Sequence, residues 1–450
     1  MRADTFFRSR LMRIMTSRRF QSLRQARGRF VRGLRGAAPA IHYFHDVSDP
    51  FSHLAVQKLA ALADGYSIAF VPHLVRPTDG PFRGDTGRFD PWARRDAASV
   101  AASYGVEAPG PDAPIDPPAS DGVASLLAPL VDDAAEGNPA RVRAFADAAF
   151  EAGRAFWNGE APAGTASARA EELLTEGEAL RTRLGHYLGG TFYFDGEWYW
   201  GIDRLYLLEE RLKQEGFVRA PFEGVLVPRP DATIPAGLDL SGIELEVFPS
   251  LRSPYTAVGW PGILKLIDDT GVAVRWRPVM PMMMRGVPVP FSKQVYVMTD
   301  SAREGRAAGS PIRNMVDPFG DPVRRALSLW AWVRSEDRER SFLTAYLEGA
   351  WLIGVDITSQ AGLDRVLTDA GLSPADAASH YDDPASEALL QENLDLMLDE
   401  GLWGVPSFRV TGGGAEPFVC WGQDRIWRVA AEIVARAGGD PGIALPERVA

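Results

Sequence analysis

Cysteine is almost absent from this chain of 450 residues, which has only one, Cys420. A single thiol forms neither an intrachain disulfide nor a structural zinc site, so a disulfide-stabilised or zinc-stabilised fold is excluded. Any thiol chemistry in this protein must therefore use a thiol that comes mainly from outside the chain.

Long apolar runs and a basic excess are lacking as well. No stretch reaches the ~18 uninterrupted apolar residues of a membrane span. Arginines interrupt the apolar residues near the N-terminus, which argues against a secretory signal and favours a cytoplasmic protein. The formal net charge of −11 disfavours nucleic acid as the main partner, because duplex binding needs a dense basic face.

The composition is otherwise that of an ordinary globular protein. Hydrophobic residues make up 46% of the chain and charged residues 24%, enough to bury a sizeable core, and the length predicts two domains. The exception is a basic N-terminal extension, residues 1–40, whose first 36 residues hold eleven arginines and one acid, Asp4. It is interpreted either as a frayed, solvated segment or as an amphipathic helix that contacts an anionic membrane surface or partner.

An internal repeat organises the rest of the chain. Residues 41–52 and 245–256 each run from a short apolar segment into Pro-aromatic-hydroxyl, at Pro50-Phe51-Ser52 and Pro254-Tyr255-Thr256. Further on, residues 191–204 and 406–425 both read as a hairpin that closes on Trp-Gly-x-Asp-Arg. We predict two copies, residues 41–216 and 242–450, joined by a proline-rich linker at 217–241.

Each copy reads as strand, helix, strand, a long helical insertion, hairpin and helix. Alternating β-branched strands and helical periodicity carry this reading in the second copy. The predicted fold is α/β: two tandem thioredoxin-like domains, each with an inserted helical subdomain.

Ser253 and Pro254 are placed where a strand meets a helix. Serine is a favoured N-cap and proline a favoured first helical residue, so one interpretation is simply a well-formed helix start. A helix N-terminus also favours an anion such as a thiolate, to which a serine hydroxyl can donate without being oxidised. Residue types alone leave both interpretations open.

The second copy resembles a known family over residues 243 to about 438. This is the DsbA-like thioredoxin family, and within it the 2-hydroxychromene-2-carboxylate isomerases and kappa-class glutathione transferases. The motifs that carry the resemblance are Phe248-x4-Ser253-Pro254-Tyr255-Thr256, Lys293-x2-Tyr296-x3-Asp300-x2-Arg303, Gly354-Val355-Asp356-Ile357, Gly404-Val405-Pro406-Ser407-Phe408 and Trp421-Gly422-Gln423-Asp424-Arg425-Ile426.

The resemblance implies glutathione as cofactor and a role for each matching residue. Ser253 would stabilise the glutathione thiolate, and Val405, before a cis Pro406, would offer its backbone to the glutathione cysteine as an added strand does. Gln423 and Asp424 match the loop that receives the γ-glutamyl end, and Lys293 matches a lysine near a glutathione carboxylate. Asp424 is otherwise a helix cap, and Lys293 otherwise a solvated surface residue.

The pocket for the second substrate is expected to be lined by four residues of this copy: Tyr255, Met282, Trp351 and Trp403. Methionine adapts to irregular apolar ligands, but it fills protein cores equally well.

The first copy departs from this pattern. Asp49 occupies the position of Ser253, and Gly190-Thr191 stands where Val405-Pro406 stands, so productive glutathione binding is not expected there. A cluster of His42, His45, Asp46, Asp49 and His53 has no recognised ligand spacing, and no metal site is predicted.

These patterns predict a glutathione-dependent isomerase or transferase that acts on an electrophilic small molecule, an enone or an aromatic compound. One alternative is a non-catalytic thioredoxin-fold adaptor. The other is a disulfide oxidoreductase relative that has lost its cysteine pair, since neither helix start holds a cysteine. The sequence leaves the oligomeric state open.

Overall fold

The computed structural model describes residues 3–78, 80–110, 116–219, 222 and 224–446. Two helices come first and are followed by two copies of a four-stranded α/β unit. The N-terminal helices are α1 (Ala3–Thr16) and α2 (Arg18–Leu34).

The first copy begins with strand, helix and strand, continues with four helices and closes with a hairpin and a helix. Its elements are β1 (Ala40–His45), α3 (Pro50–Gly65), β2 (Ala69–Leu74), α4 (Thr86–Ala101), α5 (Pro117–Asp133), α6 (Pro139–Trp157), α7 (Ala168–Leu184), β3 (Thr191–Phe194), β4 (Glu197–Trp200) and α8 (Leu205–Gln214).

The second copy follows the same plan with seven inserted helices. Its elements are β5 (Glu244–Phe248), α9 (Pro254–Thr270), β6 (Ala273–Trp276), α10 (Phe291–Ala307), α11 (Asp321–Leu327), α12 (Trp330–Ser335), α13 (Glu339–Glu348), α14 (Gln360–Asp369), α15 (Pro374–Ala377), α16 (Pro384–Asp399), β7 (Ser407–Thr411), β8 (Phe418–Trp421) and α17 (Ile426–Arg436).

The two sheets have the same topology. Their strand orders are β2-β1-β3-β4 and β6-β5-β7-β8, each with one parallel pair followed by two antiparallel pairs. In both, the inserted helices lie between the parallel βαβ half and the hairpin half. The predicted fold is confirmed: two thioredoxin-like α/β units, each with a helical insertion.

The contacts divide the chain between Gln21 and Ser22, inside the predicted extension 1–40, and between Pro230 and Asp231, inside the predicted linker 217–241. One compact unit holds the residues up to Gln21 and Asp231–Ile443, and the other holds Ser22–Pro230 and the residues after Ile443. The N-terminal extension is split because α1 buries Met15 in the core of the C-terminal unit, whereas α2 is hydrogen-bonded to β4 of the N-terminal unit. Of the predicted linker, residues 220, 221 and 223 lie outside the described residues.

The centre of the C-terminal unit holds the strands that carry the candidate site. Leu245 and Val247 of β5 and Phe408 of β7 are completely buried and pack with Ile263 of α9. Cys420 of β8 is also buried, opposite Phe408, within the sheet. In the described part of the chain, none of the helices is both long and apolar enough to span a bilayer.

Candidate functional site

The site is built at the start of α9, immediately after β5. Ser253 is the N-cap, and the backbone N–H of Thr256 donates to its Oγ at 3.1 Å. Pro254 follows as the first helical residue, where its missing N–H costs nothing. The local sequence therefore fixes a helix N-terminus whose partial positive charge points at the serine hydroxyl.

The loop before β7 comes within hydrogen-bonding distance of this helix start. The Ser253 hydroxyl donates to the carbonyl oxygen of Val405 at 3.2 Å, although the two residues are 152 positions apart. The Val405–Pro406 bond is cis, as the resemblance implies. The structure thus brings together Ser253, Val405 and Pro406, three of the residues singled out from the sequence.

Tryptophans and a glycine hold this loop in place. The rings of Trp403 and Trp421 meet edge to face with centroids 4.9 Å apart, and the Ser407 hydroxyl donates to the carbonyl of Gly404 at 2.8 Å. A Cβ on Gly404 would overlap the Trp421 indole, so only glycine fits there. Trp403, predicted to line a pocket, is instead buried and packs against Trp421 next to the loop.

Two other predicted pocket residues have internal hydrogen bonds. The Trp351 indole N–H donates to the Leu251 carbonyl at 3.1 Å, and Trp351 is fully packed in the core. The Tyr255 hydroxyl donates to Asp300 Oδ2 at 2.8 Å, and Arg303 donates to the other oxygen of that carboxylate at 2.7 Å. Trp351 therefore fixes the segment that leads to Ser253. Tyr255, two residues after Ser253, is half-buried.

The turn Met282–Arg285 places the guanidinium of Arg285 near the loop. Met282 is half-buried in a 3₁₀ turn that ends at Arg285. The Arg285 guanidinium donates to the carbonyls of Trp403 at 2.6 Å and Met280 at 3.0 Å. Burial lowers the pKa of Arg285 to about 10, and among the described residues no carboxylate pairs with it. Sequence reasoning missed this residue, although an arginine in an apolar run was a usable signal.

Lys293 lies in the first turn of α10 and is half-buried. Desolvation lowers the pKa of its ammonium to about 8. A pKa lowered by burial is unusual for lysine and is frequent at binding sites. Lys293 is therefore less exposed than a solvated surface lysine, the alternative interpretation of this residue.

Gln423 and Asp424 form the turn before α17. Gln423 is buried, and its amide nitrogen donates to Glu304 Oε2 at 3.0 Å, so this end of the side chain points into the domain. Asp424 is partly exposed and lies 3.7 Å from Arg425. The backbone N–H of Gly422, before this turn, donates to the carbonyl of Pro406 at 2.9 Å, which ties the turn to the cis-proline loop.

A second arginine precedes the cap directly. Arg252 forms an ion pair with Asp317 at 3.1 Å, and Arg8 of α1 pairs with the other oxygen of the same carboxylate at 2.9 Å. Asp317 has a completely buried side chain, so the two cations compensate a charge that would otherwise be very costly. The N-terminal helix therefore contacts the partner of the residue that precedes Ser253, a contact that no sequence motif indicates.

The equivalent helix start in the first copy has a carboxylate. Asp49 caps α3 and accepts hydrogen bonds from the N–H groups of Phe51 and Ser52. Burial, and next the nearby charge of Asp46, raise the pKa of Asp49 to about 7.

The loop opposite Asp49 corrects the predicted alignment by one residue. Thr191 pairs with Phe44 as Ser407 pairs with Phe248, so Gly189-Gly190, and not Gly190-Thr191, correspond to Val405-Pro406. The equivalent backbone bond agrees, since Gly201 N–H donates to the Gly190 carbonyl.

The histidine cluster of the first copy is enclosed. His45 and His53 are buried, and burial lowers the pKa of His45 to about 3 and that of His53 to about 4. His42 hydrogen-bonds instead to His73, at 2.9 Å. Among the described residues, no group of three or more His, Cys, Asp or Glu side chains is arranged to hold a metal ion.

Two of three comparisons with known proteins gave matches. The family model of the DSBA-like thioredoxin domain matches residues 244–434. No curated protein sequence gives a match.

Solved structures with a similar fold include a 2-hydroxychromene-2-carboxylate isomerase, 16% identical over 42% of this chain and 94% of that one, with a TM-score of 0.36. Another is the cytosolic disulfide reductase DsbM from Pseudomonas aeruginosa, 18% identical over 43% and 98%, with a TM-score of 0.34. A structure of DsbM with GSH is 17% identical over 43% and 99%, with a TM-score of 0.32. Residues 244–434 of the chain are a DsbA-like thioredoxin domain.

Proposed function

We propose that the C-terminal domain binds glutathione and uses its thiolate as a nucleophile toward an electrophilic small molecule. The observation that carries the proposal is the hydrogen bond between Ser253 Oγ and the carbonyl of Val405, at a helix N-terminus and beside a cis peptide bond. A hydroxyl in this position can hold a thiolate but cannot form a disulfide with it. The proposal sets the protein in the cytoplasm, where glutathione is the main thiol pool.

Binding requires one exchange of hydrogen bonds. The backbone N–H of the glutathione cysteine would donate to the Val405 carbonyl, in place of the Ser253 hydroxyl, as in strand addition. The released hydroxyl rotates about its C–O bond and donates to the sulfur anion. The partial charge at the α9 N-terminus stabilises the same anion. The serine thus changes partners without any movement of the backbone.

Arg285, which contacts the loop, and Lys293 are the cations proposed to receive the carboxylates of glutathione. Lys293 is half-buried with a lowered pKa, and Arg285 has only carbonyl oxygens as partners among the described residues. An incoming carboxylate would pair with either cation and offset part of its desolvation. Asp424 is partly exposed and is proposed to pair with the γ-glutamyl ammonium.

The chemistry follows from a stabilised thiolate. In an isomerase, the sulfur adds to a conjugated enone and forms a C–S bond, while the π electrons move onto the carbonyl oxygen. The former double bond rotates, and the electrons return to expel the thiolate. In a transferase, the sulfur displaces a leaving group, which departs with the electron pair of the broken bond, or it adds to the enone and the resulting enolate takes a proton from water; the product then dissociates. Ser253 serves both cases, since it holds the thiolate before attack.

The test is calorimetric titration of the full chain with glutathione and with S-methylglutathione. Val405→Asp should abolish both, because a carboxylate would obstruct the docking edge of the loop. Ser253→Ala should lower any thiol-dependent rate about 10² to 10³-fold, the range for loss of one charge-stabilising donor.

Ser359→Ala is the matched control. Ser359 caps α14, accepts from Gly362 N–H at 3.1 Å and donates to a backbone carbonyl, as Ser253 does, but it lies in another loop. It should lose the stability of a cap, about 1 kcal/mol, and leave binding unchanged. No binding at millimolar glutathione would refute the proposal.

A non-catalytic adaptor is the second candidate. The internal hydrogen bonds of Tyr255, Trp351 and Gln423 favour it, because side chains expected around a substrate are used within the domain. An adaptor would show no glutathione binding, or binding without turnover of any enone or aryl halide. The same titration, followed by a screen of those electrophiles, separates the two functions.

A further inference from the structure

Exposed apolar side chains are concentrated in the two N-terminal helices. Twelve large hydrophobic residues are exposed in the described part of the chain, and eight of them lie in α1 and α2: Phe6, Phe7, Leu11, Ile14, Leu23, Phe30, Val31 and Leu34. Single exposed apolar residues need no explanation, but a concentration like this marks an interaction surface. It is independent of the glutathione site.

Helix α1 has two different faces. Its inner face is packed: Ser9 is fully buried, Met15 joins the core of the C-terminal unit, and Arg8 pairs with Asp317. Phe7, Leu11 and Ile14 project from the opposite face with 68%, 51% and 49% of their surface exposed. The spacing of three and four residues places them in one stripe, so the fold leaves this stripe without a partner.

Helix α2 is divided in the same way. Gln25 donates to Glu197 at 2.8 Å, and Arg32 pairs with Asp195 at 3.0 Å, which fixes one face against the N-terminal unit. Leu23, Phe30 and Leu34 project from the opposite face with 67%, 65% and 73% exposed. None of the residues of α2 is fully buried: Phe20 is half-buried against the core of the C-terminal unit, whereas Leu23, Phe30, Val31 and Leu34 are exposed.

Arginines accompany both apolar stripes. Arg10 lies beside Phe7 and Ile14, and Arg27 lies between Leu23 and Phe30, all of them exposed. The first 36 residues carry a formal charge of +10, from eleven arginines and one aspartate. Removing that +10 from the total of −11 leaves −21 for the rest of the chain. A net positive charge is therefore confined to the segment that also exposes the apolar residues.

We propose that the outer faces of α1 and α2 bind the surface of a lipid bilayer that contains anionic lipids. Apolar side chains flanked by arginines match the boundary between acyl chains and anionic headgroups, where each group finds its own partner. Arginine side chains reach the phosphates while their stems cover apolar surface.

Nucleic acid and a second copy of the chain fit these faces less well. Nucleic acid would pair with the arginines but would leave the aliphatic and aromatic stripes in water. A second copy offers negative charge, but its described exposed apolar residues outside the arm are Leu126, Leu226, Phe291 and Ile353, in four separate elements or loops. Only a bilayer surface complements both the charge and the apolar area.

Vesicle flotation with the full chain tests the proposal. Vesicles of phosphatidylcholine alone are compared with vesicles of phosphatidylcholine and phosphatidylglycerol in equal parts. The chain should float with the anionic vesicles and not with the neutral ones, and added salt should weaken the binding. Arg10→Gln and Arg27→Gln should each lower the partition coefficient about fivefold, the value of one basic residue near an anionic surface.

Apolar variants address the stripes. Phe7→Ser with Leu11→Ser, and Leu23→Ser with Phe30→Ser, should each release the protein from the vesicles. All four side chains are exposed, so folding should be unaffected, and circular dichroism checks it. The matched controls are Leu126→Ser and Arg334→Gln, which change an exposed leucine and an exposed arginine elsewhere and should leave flotation unchanged.

Three outcomes would overturn the proposal. One is equal binding to neutral and anionic vesicles, and another is anionic binding that the stripe variants do not alter. The third is self-association in the absence of lipid that the stripe variants abolish, observed by analytical ultracentrifugation, since this would make a second copy the occupant. Vesicle binding and glutathione binding are tested independently, because none of these variants changes the site at Ser253.

Discussion

The starts of α3 and α9 have a similar backbone conformation, but the capping residue is a carboxylic acid in one and a hydroxyl in the other. Ser253 and Asp49 each follow a central strand, each precede a proline and each cap a helix. The loop opposite Ser253 is a cis Val405–Pro406 step, and the loop opposite Asp49 is a pair of glycines. One copy therefore presents a neutral donor, and the other presents a carboxylate with a raised pKa.

The glycine pair of the first copy lies directly against the start of α3. A Cβ on Gly190 would lie 2.9 Å from the Ser52 nitrogen and 3.0 Å from Asp49 Oδ2. The loop thus presses its backbone directly onto the helix start, where an external thiol would have to bind. The same scaffold therefore carries a serine cap with a cis Val-Pro step in one copy and an aspartate cap with two glycines in the other.

The largest effect is expected from making the second copy like the first. Ser253→Asp keeps an N-cap but places a negative charge against the thiolate. Like charges in contact cost several kcal/mol, so thiolate-dependent binding should fall about a thousandfold. Titration with glutathione above its thiol pKa measures this. Ser253→Asn, a neutral cap of similar size, should lose far less, and equal losses for both variants would show that charge is not the cause.

The reverse change at Asp49 should alter pH dependence. Burial raises the pKa of Asp49 to about 7 in the folded protein, so the unfolded chain loses this proton at a lower pH than the folded chain does. The N-terminal domain therefore loses stability as the pH rises from about 4 to 7. Asp49→Asn removes this loss, by at most about 4 kcal/mol at 1.4 kcal/mol per pH unit.

Hydrogen exchange of the α3 amides, corrected for the intrinsic rate, measures the difference between variant and wild type. The buried histidines are common to both proteins and cancel in that difference. A difference that stays constant from pH 4 to 8 would contradict the raised pKa.

The closed glycine loop gives a third test. Gly190→Ala adds a Cβ at positive φ and in contact with α3, and it should destabilise the N-terminal domain by about 3 kcal/mol. Gly185→Ala, also at positive φ but in open space, should cost about 1 kcal/mol. Thermal unfolding of the two variants separates contact from backbone strain. Equal costs would mean that the loop does not press on the helix start.

The smallest effect concerns Lys293. Its ammonium, with a pKa of about 8, is charged at neutral pH and loses that charge as the pH rises, so affinity for an anionic ligand should fall above pH 8. Binding of S-methylglutathione, which has no free thiol, should weaken about fivefold, the upper range of a half-exposed ion pair. Lys293→Gln should bind at the weaker level throughout. A wild-type pH profile no steeper than that of Lys293→Gln would exclude a role for the charge.

The repeat and the order of strands and helices along the chain could be predicted from the sequence, because local patterns recur in both copies. The contact between Ser253 and Val405 could be predicted because the motifs around both residues resemble those of the family. The one-residue error at Gly189-Gly190 has a physical cause. Two adjacent glycines give no side-chain pattern, and only the pairing of Thr191 with Phe44 sets the register.

Contacts between distant side chains could not be predicted. The bond from Gln423 to Glu304 joins residues 119 apart, and Arg285 meets Trp403 across a similar distance. Such pairs depend on how the inserted helices pack, which no local periodicity records. The docking of α1 on the C-terminal unit is missed for the same reason, since its arginines signal charge and not a buried face.

The division of the N-terminal helices between the two units has a consequence for synthesis. Helix α1 leaves the ribosome before both copies, but the unit that buries Met15 begins again only at Asp231. At roughly 5 to 20 residues per second, its inner face waits for tens of seconds. During that time α2 can already dock on the completed first copy. Helix α1 is therefore made before both copies but joins the C-terminal domain only when that domain has been translated.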